Sequence, residues 1–333
     1  MLPIRTRAFS GPWIVRASST AWSFTSARGM AEFESGDLSF LRQLLGGDGL
    51  NGPGDDAAVF PARGRVVASC DALIEGVHFE AGTPVAQIAH KLLHRNLSDL
   101  AAMGARPGQV LCCFQFSPDW GTRQRRALYR GLQRSCVGAA VDWVGGDLAA
   151  TPGPTSLQLT VLGAPAGKRV LRRSALRPGD LLAVSGPLGD SFASGHHLRF
   201  RARVELGIRL ATRHPVHAAM DLSDGLALDL SRMLKASGGL GAQLEAAALP
   251  LRPSLRGAPD ESAWSQALGD GEDYELLIGF APRALAQLKA DPEIPRQLCR
   301  PIGVVESRPG LRLLYPDTSV KACPLRGWLH GQA

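Results

Sequence analysis

The stretch VAQIAHKLLHRNLSDLAAMGARP (85–107) sets Val85, Ile88, Leu92, Leu93, Leu97, Leu100 and Ala101 at helical intervals. Gly104 and Pro107 stop the pattern, so the spacing predicts one amphipathic helix. The runs on either side read as strands. RVVASC (65–70) precedes the helix and ends at Asp71, and residues 110–116 follow it. A basic helix over 122–133, an apolar turn VDWVGGD (141–147) and a strand over 155–162 complete the first half. The Pro-, Gly- and Arg-rich segment 165–179 reads as a junction. Beyond it come a strand (181–185), helices near 190–198 and over 226–237, and strands over 241–246 and 274–280. Strands alternate with helices in both halves, which predicts two α/β layers.

The chain has 333 residues, 45% hydrophobic and 20% charged, enough for two domains with full cores. Its net charge of +7 invites a nucleic-acid reading. Four of those charges, Arg5, Arg7, Arg16 and Arg28, lie in an acid-free first 29 residues, and the remaining 304 carry 33 basic and 30 acidic side chains. Residues 1–29 read as an extension outside the folded domains: an upstream start, a disordered tail or a targeting segment. The organisation expected is 30–165 as one domain and 166–333 as a second. Arg123, Arg126, Arg130 and Arg134 line one face of the basic helix. Without interleaved aromatics they read as a solvated face rather than a nucleic-acid surface. No run of 18 apolar residues occurs, so no membrane span is expected. The six cysteines include no CxxC pair and read as reduced thiols of a cytoplasmic protein.

Several motifs exclude themselves. No GxxxxGK[ST] is present, and GDGLNG (47–52) follows a helical rather than a strand pattern. His90 and His94 stand one helical turn apart without a third ligand, and read as an exposed helix face. The distinctive signal is a set of carboxylates beside Gly or Ser at element ends: Asp55, Asp56, Asp71, Asp99, Asp147, Asp221, Asp224, Glu272 and Asp273. Singly, each is a good turn or cap residue. Gathered in one cleft, they repel. A pair about 4 Å apart costs about 1 kcal/mol in water and roughly 4 kcal/mol at an effective dielectric of 20. Cations would offset that repulsion, and oxygen-only ligands favour Mg²⁺, Mn²⁺ or Ca²⁺. A cage of this kind without a nucleophile suits phosphoryl transfer, which asks mainly for positioning and charge neutralisation. The residues alone lead to a Mg²⁺-dependent enzyme acting on phosphates.

GPGDDAAVF (52–60), SCDALIEGVHF (69–79), NLSDLAAMGARP (96–107), VGGD (144–147), LRRSALRPGD (171–180), SGPLGDS (185–191), DLSDGLALDL (221–230) and GEDYELL (271–277) resemble, in order, the motifs of the thiamine-monophosphate kinase family. The resemblance runs from about Glu32 to Trp328. It implies an α/β (α+β) aminoimidazole ribonucleotide synthetase-like fold, with an N-terminal dimerising domain and a C-terminal domain. It also implies a homodimer that uses ATP to phosphorylate thiamine monophosphate, with several Mg²⁺ ions and K⁺ as a further candidate. Carried over by motif, Asp56, Ser69, Cys70, Asp71, Asp99, Asp147, Asp221 and Asp224 would hold metal, with Asp99 and Asp221 central and no general base. Gly146, Asp147, Arg173 and Ser223 would contact ATP. His78, Glu272 and Trp328 would contact thiamine monophosphate. Cys70 stands where the family has Thr, and Asp270 where it has Gly. A cyclo-ligase of the same superfamily is the alternative activity.

Overall fold

The computed structural model describes residues 37, 40, 41, 43, 44, 64–255, 257 and 260–327. The expectations for residues 1–29, for Asp55 and Asp56 and for Trp328 lie outside the described residues. The helix read from 85–107 is α1 (Val85–Ala102), preceded by β1 (Val67–Ile74) and followed by β2 (Ala105–Phe116). Next come α2 (Thr122–Gly138), β3 (Asp142–Ala150) and β4 (Ser156–Pro165), giving a four-stranded sheet of order β1-β4-β2-β3. Only the β2–β3 pair is parallel. Alternation explains its two faces. Val110, Cys112, Phe114 and Phe116 of β2 and Leu157, Leu159 and Val161 of β4 turn inward beneath α1 and α2. The residues between them are only partly covered, leaving one face of the sheet open.

The second half contains β5 (Leu181–Val184), α3 (Val204–Arg213), β6 (Val216–Asp221), α4 (Leu226–Ala236), β7 (Gly241–Glu245), α5 (Glu261–Gly269), β8 (Leu276–Phe280), α6 (Leu285–Ala290), β9 (Gly303–Glu306), β10 (Gly310–Leu314) and β11 (Val320–Ala322). Its seven strands run β11-β10-β7-β9-β5-β8-β6, with only β10–β7 parallel. Both faces are covered, by α4 and α5 on one side and by α3 and α6 on the other. That accounts for the unbroken apolar run LLIGF of β8.

The two halves meet where α1 packs on α3, and Ala101 and Ala102 share a core with Leu206, Leu210 and Ala211. The approach is close: a Cβ on Gly207 would lie 2.0 Å from the Ala101 carbonyl oxygen.

Three local expectations change. Of residues 141–147, read as a turn, 142–147 instead begin β3, whose glycines hid its strand character. Residues 190–198 are turns ending in a single 3₁₀ turn at His196–Leu198 rather than a helix. His90 and His94 are not an exposed face. The His90 Nε2–H donates to the Phe200 carbonyl at 2.7 Å, and the Ala202 N–H donates to His94 Nδ1 at 3.2 Å. Two of the arginines on α2 also have partners, since Arg126 and Arg130 lie over the Phe40 ring at 5.1 and 4.9 Å.

Candidate active site

The C-terminal half of α1 carries the centre of the site because its last two turns face β1 on one side and the end of β6 on the other. Ser69 Oγ donates to Asp99 Oδ2 at 2.5 Å, and Ser98 Oγ donates to Asp221 Oδ2 at 2.7 Å. The Asp71 N–H donates to Asn96 Oδ1, and Arg95 Nε donates to Asp71 Oδ2 at 3.1 Å. Asp71 and Asp221, from two different sheets, therefore gather with Asp99 of α1 around one helix end. Burial pushes the Asp99 carboxyl well above the usual range, and the charges of Asp221 and Asp71 push it further. Asp221 rises too, chiefly by burial, against the stabilising Ser98 hydrogen bond. A set of oxygen donors that cannot all ionise cheaply is chemically suited to a hard divalent cation. Among the described residues, however, no three acidic, His or Cys groups converge on one point. The carboxylates are drawn instead to Ser69, Ser98 and Arg95.

Beside this group is a small pocket lined by Val77, His78, Arg95, Phe192, Ser223, Asp224, Asp270, Glu272 and Tyr274. Here His78 and Glu272, from opposite halves, come together through a residue that the motif reading passed over. Lys91 is fully buried; its ammonium donates to the His78 carbonyl at 2.7 Å and pairs with the Glu272 carboxylate. Burial pulls the Lys91 pKa down, and Glu272 opposes that shift. Its signal was a lysine inside the buried stripe of an amphipathic helix, where a cation needs a partner.

The GEDYEL loop is held in an unusual backbone. Glu272 and Tyr274 have φ of 56° and 49°, and their N–H groups donate to the Ser223 and Leu222 carbonyls at 2.7 and 2.8 Å. Its other two acids serve the scaffold. Asp273 accepts from Gly189 N–H, Ser191 Oγ and Arg252, and Glu275 takes Arg203 in a two-pronged pair at 2.8 and 2.6 Å. Asp224 pairs with Arg232, which also holds Asp229 at 2.8 Å. Asp270 caps the end of α5 in ordinary helical backbone, and its Oδ2 accepts from the Asp190 N–H at 2.8 Å, so no glycine is required there.

Other expected residues lie apart. Cys70 follows Ser69 on a strand, so its side chain points to the opposite, open face of the sheet. It is not brought to the Asp99 group. Cys113 is near it, its thiol raised by burial and by the charges of Asp147 and Cys70. Asp147 pairs in register with Cys113 on that same face. Gly146 next to it has φ of 154°, and a Cβ there would sit 1.7 Å from the Cys112 carbonyl oxygen, so only glycine fits. Arg173 is exposed in the segment between the sheets, where its carbonyl accepts from Ser237 Oγ. Gly327, the last described residue before Trp328, packs against the Asp224 carbonyl.

The family model "AIR synthase related protein, N-terminal domain" matches residues 54–164, and the C-terminal domain model of the same family matches residues 177–316. The thiamine-monophosphate kinase of Rhodopirellula baltica is 36% identical over 84% of this chain and 91% of its own length. The chain belongs to the thiamine-monophosphate kinase family. The family's solved structures agree with the fold. The thiamine-monophosphate kinase of Stenotrophomonas maltophilia superposes with a TM-score of 0.69 at 32% identity, covering 83% of this chain and 94% of that one. The structure described as AaThiL complexed with AMPPCP and TMP gives 0.70 at 25% identity, covering 92% and 99%. No helix among the described residues is long and apolar enough to cross a membrane.

Proposed function

We propose that this family member transfers the γ-phosphoryl group of ATP to thiamine monophosphate, giving ADP and thiamine diphosphate. The observation that carries the reading is the gathering of Asp71 and Asp221, one from each sheet, with Asp99 at one end of α1, beside the pocket that unites His78 with Glu272. The names of the relatives and the AMPPCP- and TMP-bound neighbour support it.

In this reading Asp71, Asp99, Asp221, Asp224 and Asp56 hold Mg²⁺, with Ser69 orienting Asp99 and Ser98 orienting Asp221. Bound there, Mg²⁺ neutralises phosphate charge and polarises the transferred group. Gly146, Asp147, Arg173 and Ser223 are assigned to ATP, and His78, Glu272 and Trp328 to thiamine monophosphate. Arg95 lines the pocket and also binds Asp71, so it links the acceptor end to the carboxylate group. An oxygen of the acceptor phosphate forms the new bond to the γ-phosphorus as the bond to the ADP oxygen breaks. That oxygen is already ionised at neutral pH, so no side chain is needed as a base. Cys70 and Asp147 are left out of this metal set because their side chains lie on the opposite face of the sheet from Asp71. The reading also takes 30–165 and 166–333 as two domains of a cytoplasmic homodimer that binds neither nucleic acid nor membrane.

The test is incubation of the protein with ATP, MgCl₂ and thiamine monophosphate, with and without K⁺, followed by chromatography for thiamine diphosphate. Product that depends on Mg²⁺ is expected. Its absence under both conditions would overturn the assignment.

A further inference from the structure

Among the described residues, six large apolar side chains are exposed: Val66, Val77, Val137, Phe192, Val320 and Leu325. Single exposed apolar residues are ordinary. Two of these six line the same pocket, however, one from each half of the chain. Val77 is 40% exposed and Phe192 is 44% exposed, and both border the space occupied at its other edges by Arg95, Ser223, Asp224 and Glu272.

Neither is a loose surface side chain. Val77 sits in a turn closed by its own N–H to the Ile74 carbonyl at 3.1 Å. Phe192 follows Ser191, whose hydroxyl donates to the buried Asp273 at 2.6 Å, and Arg252 locks the same carboxylate at 2.8 Å. The Phe192 ring stacks on the buried His197, with centroids 4.4 Å apart and planes 28° apart, and the buried Lys91 ammonium lies 5.6 Å from its centroid. The ring is still 44% exposed and lines the pocket, so its uncovered part borders that space. Asp224, Asp270 and Glu272 line that pocket with Arg95, and Asp224 and Glu272 are also paired with Arg232 and Lys91. An aromatic surface and an aliphatic one beside carboxylates suit a flat ring that carries positive charge.

We propose that Phe192 and Val77 form a two-sided grip that selects a flat, cationic heterocycle on the phosphate acceptor and discriminates against phosphates without one. This rests on the phosphoryl-transfer reading above and adds the residues that set its acceptor specificity. The position of Arg95 fits, since it reaches from the same pocket to Asp71 and so joins the ring end of the acceptor to its phosphate end.

The experiment compares wild type with Phe192→Ala, Phe192→Leu and Phe192→Trp. Thiamine monophosphate binding is measured by calorimetry and the KM values for both substrates by steady-state kinetics. Loss of the aromatic surface in Phe192→Ala should weaken thiamine monophosphate binding and raise its KM by about tenfold. The KM for ATP should stay within about twofold, since the lost contact belongs to one substrate. Phe192→Trp should bind about as tightly as wild type, and Phe192→Leu should resemble Phe192→Ala. Thiamine monophosphate affinity unchanged in Phe192→Ala, equal rises in both KM values, or a Leu variant equal to wild type would overturn the proposal. If wild type turns over and Phe192 proves irrelevant to binding, the grip alone fails. If Phe192-dependent binding is seen without turnover, the kinase reading alone fails.

Discussion

His94 should make this protein acid-sensitive, and a single substitution should remove most of that sensitivity. His94 lies on α1 and accepts the Ala202 N–H at its Nδ1, so the ring is neutral with its proton on Nε2. Burial, then the neighbouring His90 and Arg201, lower its pKa from 6.5 to about 3. The His90 ring lies 4.1 Å away. In the unfolded chain His94 takes up a proton near its ordinary pKa, while the folded protein refuses it until about 3. Between those values the unfolded state therefore binds more protons, and stability must rise with pH. The contribution is complete above about 6.5, and at pH 5 it has fallen by about 2 kcal/mol.

His94→Asn places a neutral amide oxygen where Nδ1 stands and cannot titrate. Urea unfolding followed by circular dichroism at pH 7 and pH 5 should show wild type losing about 2 kcal/mol more than the variant over that interval. A difference below about 0.5 kcal/mol would refute the reasoning. The segment held by His90 and His94 carries Phe200, whose ring stacks on Tyr274 at 4.0 Å. Tyr274 in turn donates to Glu272, so activity at pH 5 should fall with stability in wild type and less in the variant.

Asp99→Asn removes a carboxyl that burial and two neighbouring acids already disfavour as an anion. It should cut turnover by at least about a hundredfold while leaving the melting temperature unchanged or higher, and near-normal turnover would refute its role as a metal ligand. Lys91→Met strands the Glu272 carboxylate without its cation. A loss of about 3–5 kcal/mol in chemical denaturation is expected, together with a raised KM for thiamine monophosphate; wild-type values of both would show that the pair neither holds the pocket nor the fold. Gly207→Ala drives a methyl onto the Ala101 carbonyl and should cost about 1–3 kcal/mol. Gly138→Ala, at the open end of α2 with nothing within 4 Å, should be neutral or stabilising by up to about 1 kcal/mol. Equal effects of the two would show that the α1–α3 contact yields freely.

Local pattern determined much of this protein. The α1 stripe, the strands flanking it and the DLSD and GEDYEL motifs were readable because helix period, Gly and Pro stops and short acidic motifs are properties of neighbouring residues. Strand pairing is not such a property. The β3 residues Gly145 and Gly146 look like a turn until β2 lies against them, and the Cβ-free approach to Cys112 gives Gly146 its reason. The same limit applied to the site. The sequence named Asp71, Asp99, Asp221, His78 and Glu272 as candidates, yet the sorting of carboxylates was tertiary. Asp273 and Glu275 have the same chemistry as Glu272, but their backbone positions turn them toward Arg252 and Arg203, where they support the loop. Cys70 is one residue from Asp71 and faces the other side of a strand. Lys91 and Phe192 entered the site only when α1 met the second sheet, because a side chain's partner depends on which distant segment the fold brings against it.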